Sequence, residues 1–459
     1  MLHKILRYSL GIFLIYFLFS VIIVPIWYKD AGQEQTAYAK STAQSAVLCI
    51  DDNEEALYWR LKVIGAAQEE IVMSTFDWRE DNGGTDVMAA LAQAAERGVK
   101  VRLVVDGING FLQLRGSGLF QALTAYPNVE AKLYNPINLL LPYRINYRLH
   151  DKYLIADDTV YILGGRNTND LFLGNYREQY NLDRDVLVYE GKDGAEGSLG
   201  LVKDYFEKVW EDPASKRYRH HKGKQKTLEN QEILRQRYLS LTEKYPDLED
   251  AVCWEEKTLP VESIALLTNP VEVKGKEPLV WNGIYQEIEG GRDILIQTPY
   301  IICDRLLYGD LQKAVEQGKK VEILTNAVES GANPWGCTDY LNQKQKVLGA
   351  GVSVYECLAG QSLHTKTVLV DDDISLIGSY NLDIRSTYLD TEMMLRIESR
   401  QLNAALREKT QFYQEQSKKC MPDGTEQIGD SYEAVVQGPV KKAIYAVLRL
   451  VVRPIRHLL

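Results

Sequence analysis

Two stretches of this sequence decide the fold: RLHDKYLIADDTVYILGGRNTND at Arg148–Asp170 and SLHTKTVLVDDDISLIGSYNLDI at Ser362–Ile384. In both, a lysine follows the histidine by two residues, an aspartate by seven, a glycine by fourteen and an asparagine by seventeen. Unrelated apolar segments would not keep four such positions in register. The chain therefore contains an internal repeat, and each copy is expected to fold as one structural unit.

The repeat extends upstream of these stretches. IVMSTFDW at 71–78 corresponds to ILIQTPYI at 294–301, and each precedes a helical pattern that ends at a glycine, Gly98 or Gly318. Glycine suits the position after a helix because it adopts a positive φ without strain. The apolar runs that follow indicate buried parallel strands. This order predicts an α/β fold of two pseudo-twofold repeats, each a mostly parallel sheet flanked by helices.

The composition allows two domains. Of 459 residues, 45% are hydrophobic and 25% are charged, so each half can bury a core of its own. We expect the first domain at residues 45–210 and the second at 261–415. The charged segment 211–260 is predicted to be a solvated connecting helix, with a lid or docking surface as the alternative.

The N-terminal segment has the character of a membrane anchor. Ser9–Trp27 contains no charged residue and would span roughly 28 Å as a helix, close to a bilayer core. We expect an anchor over residues 1–30, and a cleaved signal peptide is the alternative. Lys4 and Arg7 precede the run. Positive charge before the apolar run favours a cytoplasmic N-terminus, and thus a single-pass protein of the cell membrane with an extracytoplasmic catalytic body.

The C-terminal segment is also of membrane type. Residues 438–459 combine apolar side chains with five lysines and arginines. The pattern predicts a basic amphipathic tail on an anionic membrane. The alternative is a terminal helix that packs on the domain with a solvated basic face.

Two histidine–lysine pairs form the candidate site. Alternate side chains of a strand share a face, so His150 and Lys152 are expected to point the same way, as are His364 and Lys366. A buried histidine or lysine without a partner is costly. Matching pairs in two repeats therefore indicate one shared site at the domain interface.

These residue types suit transfer at a phosphodiester. One imidazole would attack phosphorus to form a phosphohistidine, while the other protonates the leaving alcohol and later deprotonates the acceptor. The two lysines and the amides of Asn167 and Asn381 would neutralise the non-bridging oxygens without a metal, and Ser379 could donate a further hydrogen bond. Asp157 and Asp371 have the opposite strand parity, which predicts a supporting role at the strand end.

Each half also offers a later carboxylate to orient a histidine. We expect Asp185 to contact His150 and Glu392 to contact His364, because each precedes an apolar, strand-like run. Asp183 competes with Asp185 for the first of these roles.

Two H-x-K-x4-D motifs followed by GG-x-N and GS-x-N resemble the phospholipase D superfamily, and LHDKYLIADD with LHTKTVLVDD resembles bacterial cardiolipin synthases. The resemblance covers about residues 45–415. It implies a two-domain pseudo-dimer and a ping-pong reaction without metal or cofactor. The implied substrates are membrane phospholipids, with phosphatidylglycerol or another phospholipid as the donor of the phosphatidyl group. The catalytic positions it implies are His150, Lys152, Asp157, Asn167, His364, Lys366, Asp371 and Asn381.

Three functions compete at this point. The first is a phosphatidyltransferase that makes cardiolipin, and the second is a phospholipase D hydrolase, a nuclease or another phosphodiesterase that uses the same site. The formal net charge of -10 and the anchor argue against nucleic acid as a partner. The third is a membrane scaffold without activity, which two intact motifs argue against. Many cardiolipin synthases carry two membrane helices before the catalytic body, whereas this sequence shows one.

Overall fold

The computed structural model describes residues 2–28, 38, 41, 43–219, 223–435 and 437–459. The strands of the first half are β1 Ala46–Ile50, β2 Glu70–Thr75, β3 Lys100–Asp106, β4 Val129–Tyr134, β5 Tyr153–Ala156, β6 Val160–Gly164, β7 Asn181–Leu182, β8 Asp185–Tyr189, β9 Ser215–Arg217 and β10 Leu259–Pro260. The strands of the second half are β11 Ser263–Thr268, β12 Asp293–Gln297, β13 Lys320–Asn326, β14 Ser353–Cys357, β15 Ser362–Leu363, β16 Thr367–Val370, β17 Ile374–Gly378, β18 Met393–Glu398, β19 Ser417–Cys420 and β20 Glu426–Ile428. The helices are α1 Leu2–Ile22, α2 Asn53–Ala66, α3 Asn82–Glu96, α4 Gly107–Asn109, α5 Gly118–Leu123, α6 Ser198–Glu211, α7 Lys224–Lys244, α8 Trp254–Lys257, α9 Leu279–Gly290, α10 Arg305–Glu316, α11 Pro334–Gly349, α12 Ile384–Tyr388, α13 Arg400–Glu415 and α14 Pro439–Ile455.

Each half forms its own sheet, and the two sheets have equivalent strand orders. The first sheet has the order β10-β1-β8-β6-β5-β2-β3-β4-β9, and the second has the order β11-β18-β17-β16-β12-β13-β14-β19-β20. The α/β fold of two repeats is therefore confirmed. The sheets are mixed and not mostly parallel: β2, β3 and β4 run parallel, as do β12, β13 and β14, and the remaining neighbours in both sheets are antiparallel. The antiparallel part arises because a tight turn joins β5 to β6, which forces a hairpin.

Matching local signals set the helices of the two repeats. Asp81 and Asp304 cap the first turns of α3 and α10, where their carboxylates accept backbone N–H bonds. Gly98 and Gly318 follow the same helices with φ of 94° and 83°. The prediction of glycine at the helix ends is thus confirmed.

Alternating side chains divide each central strand between two cores. In β2, Ile71 and Met73 pack with helices of the first repeat, whereas Val72 joins a cluster shared by both repeats. In β12, Ile294 lies in the core of the second repeat and Leu295 joins the shared cluster. Since strand side chains alternate between faces, one face of each sheet carries its own helices and the other contributes to a core that both repeats share.

The segment between the repeats is more deeply packed than the sequence indicates. α7 packs on α3 and α5 and buries Leu234, Tyr238 and Leu241, which are spaced as one helical face. These three side chains belong to the apolar core of the first repeat. The expectation of a solvated connecting helix is therefore wrong for this face, because polar residues surround a narrow apolar stripe and mask it in the composition.

The two terminal segments meet at one place on the body. Arg7–Ile26 is apolar and long enough to cross a membrane, and the 3-10 turn that follows α1 contacts the 3-10 turn Arg456–Leu458 after α14. α14 packs on α11 and buries Tyr445 and Val452, so this tail is a docked helix. Part of its basic character is used within the protein, since Arg456 forms an ion pair with Asp339.

Candidate active site

The backbone around His150 is held by the second repeat. Leu149 forms a parallel bridge with Thr391, and the Thr391 N–H donates to the Arg148 carbonyl at 2.9 Å. The His150 N–H donates to the Thr391 hydroxyl oxygen at 3.0 Å. His150 therefore lies at a crossing of the two repeats, directly before β5 enters the first sheet.

The second motif makes the equivalent crossing in the opposite direction. β15 pairs in parallel with β7 of the first repeat, and the His364 N–H donates to the Leu182 carbonyl at 2.7 Å. These two crossings are related by the repeat. Together they bring the two histidine–lysine pairs to one interface, as the sequence predicted.

Each imidazole contacts a carboxylate from the other repeat. His150 Nδ1 lies 2.8 Å from Glu392 Oε1, and His364 Nδ1 lies 2.5 Å from Asp183 Oδ2. A carboxylate at Nδ1 fixes the tautomer and leaves Nε2 for the chemistry. Glu392 was expected to contact His364, and that pairing is wrong. Neither repeat completes a histidine–carboxylate pair alone.

Asp185 does not orient His150, so this prediction is also wrong. Its carboxylate is buried in ion pairs with Arg60 at 2.9 Å and Arg166 at 3.4 Å. Asp185 opens β8, after the chain has returned from the crossing at β7 to its own sheet. The crossing residue is Asp183, two positions earlier.

The register of the repeat contains the signal that identifies Asp183. Gly164 pairs with Asp185 in the first sheet, and the equivalent Gly378 pairs with Met394 in the second. Asp185 thus corresponds to Met394. Counting back two residues from each places Asp183 and Glu392 at equivalent positions.

The residue after each glycine, Gly165 or Ser379, adapts the site to its carboxylate. A β-carbon at Gly165 would lie 2.3 Å from Asp183 Oδ1, so glycine is required for the close approach. The equivalent Ser379 donates its hydroxyl to Glu392 Oε2, and Ser386 donates to Glu392 Oε1 at 2.6 Å. Ser379 therefore holds the carboxylate, and the expectation that it binds the substrate phosphate is not supported.

Both motif lysines are buried beside their histidines. Lys152 Nζ donates to the His150 carbonyl and lies 5.4 Å from the centre of the Phe76 ring. Lys366 Nζ donates to the His364 carbonyl and lies 3.6 Å from Asp183 Oδ2. Burial lowers the pKa of each lysine to about 8, despite nearby carboxylates that raise it. Two cations are thus concentrated where an anionic phosphate would lie.

The two histidine–carboxylate pairs differ electrostatically. Burial and then the charge of Lys366 lower the pKa of His364 to about 4, and burial and Lys152 hold the pKa of His150 well below its usual range. Burial raises the pKa of Asp183, but Lys366 and His364 outweigh it and hold that pKa well below its usual range. Burial raises the pKa of Glu392 to about 8. The charged form of Asp183 is therefore favoured beside His364, whereas burial disfavours the charged form of Glu392 beside His150.

Two phenylalanines outside the repeated motifs pack on the imidazoles. Phe76 and Phe172 contact His150 and His364 edge-to-face, with ring centres 5.1 Å and 4.9 Å apart. Such contacts restrict rotation of the imidazole and exclude water from its edge. No repeated polar pattern marks these residues, so motif spacing alone does not identify them.

The asparagines of the two motifs have matching unsatisfied oxygens. Within the described part of the chain, Oδ1 of Asn167 and Oδ1 of Asn381 are buried without a hydrogen-bond partner. Buried polar atoms without partners are rare and require an explanation. A bound anion would supply one, because a half-turn of each amide would present its N–H groups to the oxygens of the anion.

Asp157 and Asp371 lie at the far ends of β5 and β16. Asp157 accepts backbone N–H bonds from residues 68–70, and Asp371 accepts them from Arg292 and Asp293. Both adopt a positive φ, 53° and 49°. The structure gives them a turn-holding role and places them outside the reacting group of side chains, in agreement with the strand parity and against the catalytic role that the family resemblance implies for these two positions. No group of three or more His, Cys, Asp or Glu in the described residues is arranged to hold a metal ion.

Comparison with known proteins follows the same two repeats. The chain matches the family model described as "Cardiolipin synthase, PLD-like domain" over residues 61–210 and 284–412. It is 28% identical to cardiolipin synthase C of Escherichia coli K12 over 407 residues, covering 78% of this chain and 82% of that protein. It is 27% identical to an uncharacterized protein of Helicobacter pylori J99 over 413 residues, 77% of each. The crystal structure of phosphatidylserine synthase from Haemophilus influenzae Rd KW20 superposes with a TM-score of 0.61 at 17% identity, covering 95% of this chain and all of that one.

Proposed function

This chain belongs to the cardiolipin synthase family with phospholipase D-like domains, and we propose that it transfers a phosphatidyl group between phospholipids to make cardiolipin. The supporting observation is the reciprocal arrangement of the two imidazoles. His150 and His364 each contact a carboxylate of the other repeat through Nδ1. Both Nε2 atoms remain for one phosphorus between them.

In the first half-reaction, Nε2 of one histidine attacks the phosphorus of the donor phospholipid. A phosphorus–nitrogen bond forms, and the bond from phosphorus to the headgroup oxygen breaks. The second imidazole donates a proton to that oxygen, so the headgroup leaves as a neutral alcohol. With phosphatidylglycerol as donor, the leaving alcohol is glycerol.

The second half-reaction reverses these roles. A hydroxyl of the acceptor phospholipid loses its proton to the second imidazole and attacks phosphorus, and the phosphorus–nitrogen bond breaks. Motif order favours His150 as the nucleophile and His364 as the acid and base. The side chain of His364 is 20% exposed against 11% for His150, which suits the group that meets both a leaving and an entering alcohol.

The remaining motif residues act on charge. Lys152 and Lys366 offset the negative charge of the non-bridging oxygens as the phosphorus becomes five-coordinate. The amides of Asn167 and Asn381 donate to the same oxygens. Asp183 and Glu392 hold the imidazoles in position for attack.

The apolar helix supports a place for this reaction at a membrane. α1 would anchor the chain in the cell membrane, and Lys4 and Arg7, which lie before its uncharged run, favour an extracytoplasmic catalytic body. The donor and the acceptor would then both be drawn from the same bilayer.

The proposal is tested in cells that lack other cardiolipin synthases. The full chain, His150→Ala and His364→Ala are expressed separately, and the lipids are profiled by mass spectrometry. We expect new cardiolipin with the full chain and none with either variant at equal expression. Phosphatidic acid without cardiolipin would indicate hydrolysis instead of transfer, and the absence of both products would overturn the lipid assignment.

A nuclease remains the rival use of the same site. Purified full-length protein in detergent, incubated with single- and double-stranded DNA, tests it directly. We expect no cleavage above that of the His364→Ala variant, because the chain carries a formal net charge of -10.

A further inference from the structure

A run of leucines is exposed on the body beside α1. The loop Ile137–Leu141, here called the leucine loop, has the sequence INLLL. Leu140 is 82% exposed, the highest value for a large apolar side chain in the described residues, and Leu139 is 57% exposed. Adjacent exposed leucines of this kind mark a surface that meets something other than water.

The leucine loop runs alongside the last turns of α1. The Tyr16 hydroxyl donates to the Leu140 carbonyl at 2.7 Å, and the Asn146 side-chain amide donates to the Val21 carbonyl at 2.8 Å. Ser20 is buried against the body. The end of α1 is therefore packed on the protein, and the loop extends from there back along the helix.

The position of this contact gives the depth of the loop. Tyr16 precedes Ile22, the last residue of α1, by six residues, or about 9 Å at the helical rise. If the packed end of α1 lies at the membrane surface, Leu140 reaches that far into the bilayer. Interfacial apolar segments are typically buried by about 5–10 Å.

The outer face of α14 presents a second apolar surface next to the same end of α1. Val440, Ile444, Val447 and Val451 are exposed and lie on one helical stripe, away from the side that packs on α11. The α14 end is joined to α1 by a contact between His457 Nε2 and the Ile22 carbonyl at 2.5 Å.

We infer that the leucine loop, together with this stripe of α14, is a lipid-docking surface that seats the catalytic body on the bilayer from which α1 emerges. We assign the bilayer as the occupant of this surface because the loop contacts α1. A membrane crossed by α1 would therefore lie directly beside the loop. The role of this surface in supplying substrate rests on the proposed function.

The loop is rigidly connected to the active site. It continues through the turn Pro142–Asn146 into Leu149 and His150, and the Asn135 amide donates to the Arg144 and Tyr147 carbonyls at 2.6 and 2.8 Å. A seated loop therefore fixes the height of His150 above the lipid. Phospholipids could then reach the site without leaving the membrane entirely.

The depth of the loop can be measured independently of activity. The full chain with Cys253→Ser, which removes the exposed cysteine, receives a nitroxide label at Leu140→Cys and is placed in nanodiscs of phosphatidylethanolamine and phosphatidylglycerol. Collision with oxygen and with a water-soluble nickel chelate is compared by power saturation. A label at Leu228→Cys on α7, an exposed leucine on a helix that packs against α3 and α5, is the matched control.

We expect the label at position 140 to be accessible to oxygen and shielded from nickel, and the label at 228 to be accessible to nickel. Equal nickel accessibility at both positions would overturn the inference. Shielding of position 140 from both reagents would overturn it too, because it would indicate a protein partner or a second copy over the loop.

An activity measurement tests the purpose of the surface. The double variant Leu139→Glu with Leu140→Glu should lose about tenfold in turnover of nanodisc lipid, since charge is expelled from the interface. Turnover of a monomeric short-chain phospholipid should be unchanged, and Leu228→Glu should match the wild type on both. Equal loss on both substrates would contradict lipid docking. A wild type inert on both substrates would instead refute the proposed function, while the depth measurement would stand.

Discussion

Asp183→Asn removes the carboxylate that the crossing at β7 delivers to the second histidine. The side chain is buried, contacts His364 Nδ1 at 2.5 Å and lies 3.6 Å from Lys366 Nζ. An asparagine of equal size can present its N–H group to the imidazole and so favour the wrong tautomer. It also leaves Lys366 without its nearest negative charge.

The size of the effect follows from the burial of this pair. Removing one partner of a buried ion pair costs about 3–5 kcal/mol. If most of that cost appears in the transition state, where the imidazole must exchange a proton, kcat falls by about 10³-fold at roughly 1.4 kcal/mol per factor of ten. The pKa of Lys366, already lowered to about 8, should fall further. The high-pH limb of activity should therefore move to lower pH.

Asp185→Asn is the matched control, because Asp185 is equally buried but forms ion pairs with Arg60 and Arg166 and contacts neither motif histidine. It should lower thermal stability while kcat per folded molecule stays within a few-fold of the wild type. Both variants are assayed for lipid turnover in nanodiscs at several pH values, with folding checked by circular dichroism. A loss of kcat in Asp185→Asn without a loss in Asp183→Asn would show that Asp183 does not orient His364.

Three further predictions concern pH, the Glu392 contact and the turn. Activity should fall as pH rises through about 8, because Lys152 and Lys366 have pKa values of about 8 and then lose the charge that faces the phosphate. A pH–rate profile without this fall at high pH, in protein that circular dichroism shows to be folded, would contradict this prediction. Ser379→Ala removes a hydrogen bond that lowers the pKa of Glu392, and the pKa of Glu392 should therefore rise further. Turnover should drop about tenfold with a displaced pH profile. An unchanged pH profile would count against the contact. Asp157→Ala removes acceptors for three backbone N–H groups at a positive φ and should cost about 2–3 kcal/mol of unfolding free energy in urea, while kcat of folded protein is retained; a loss of kcat without a loss of stability would restore a catalytic role.

Much of the fold follows from the sequence because the repeat carries its own alignment. Two helix-ending glycines and two histidine motifs occur in register, and this was enough to predict two α/β units. The relative direction of neighbouring strands does not follow from the repeat pattern in the same way. Apolar runs in β5 and β6 do not distinguish a hairpin from a crossover, and the mixed sheets follow from the tight turn at Asp157.

The sequence is sufficient to predict the site except for the carboxylate that each repeat contributes to the histidine of the other. The histidines and lysines follow from spacing, but the pairing with carboxylates depends on which strand crosses the interface. Asp183 and Asp185 are two residues apart and point to the same face of an extended chain, so local pattern alone cannot separate them. The register of Gly164 and Gly378 with the following strands could have done so.

His150 and His364 are proposed to act in one active site, and double-variant kinetics test this directly. Turnover of phospholipid by purified full-length protein is measured for His150→Ala, His364→Ala and the double variant, with equal folding. We predict that each single variant loses about 10³-fold or more and that the double variant is no worse than either, because residues that act as a unit are not additive. Two independent half-sites would leave about half of the activity in each single variant and remove it only in the double variant, and that result would contradict the account.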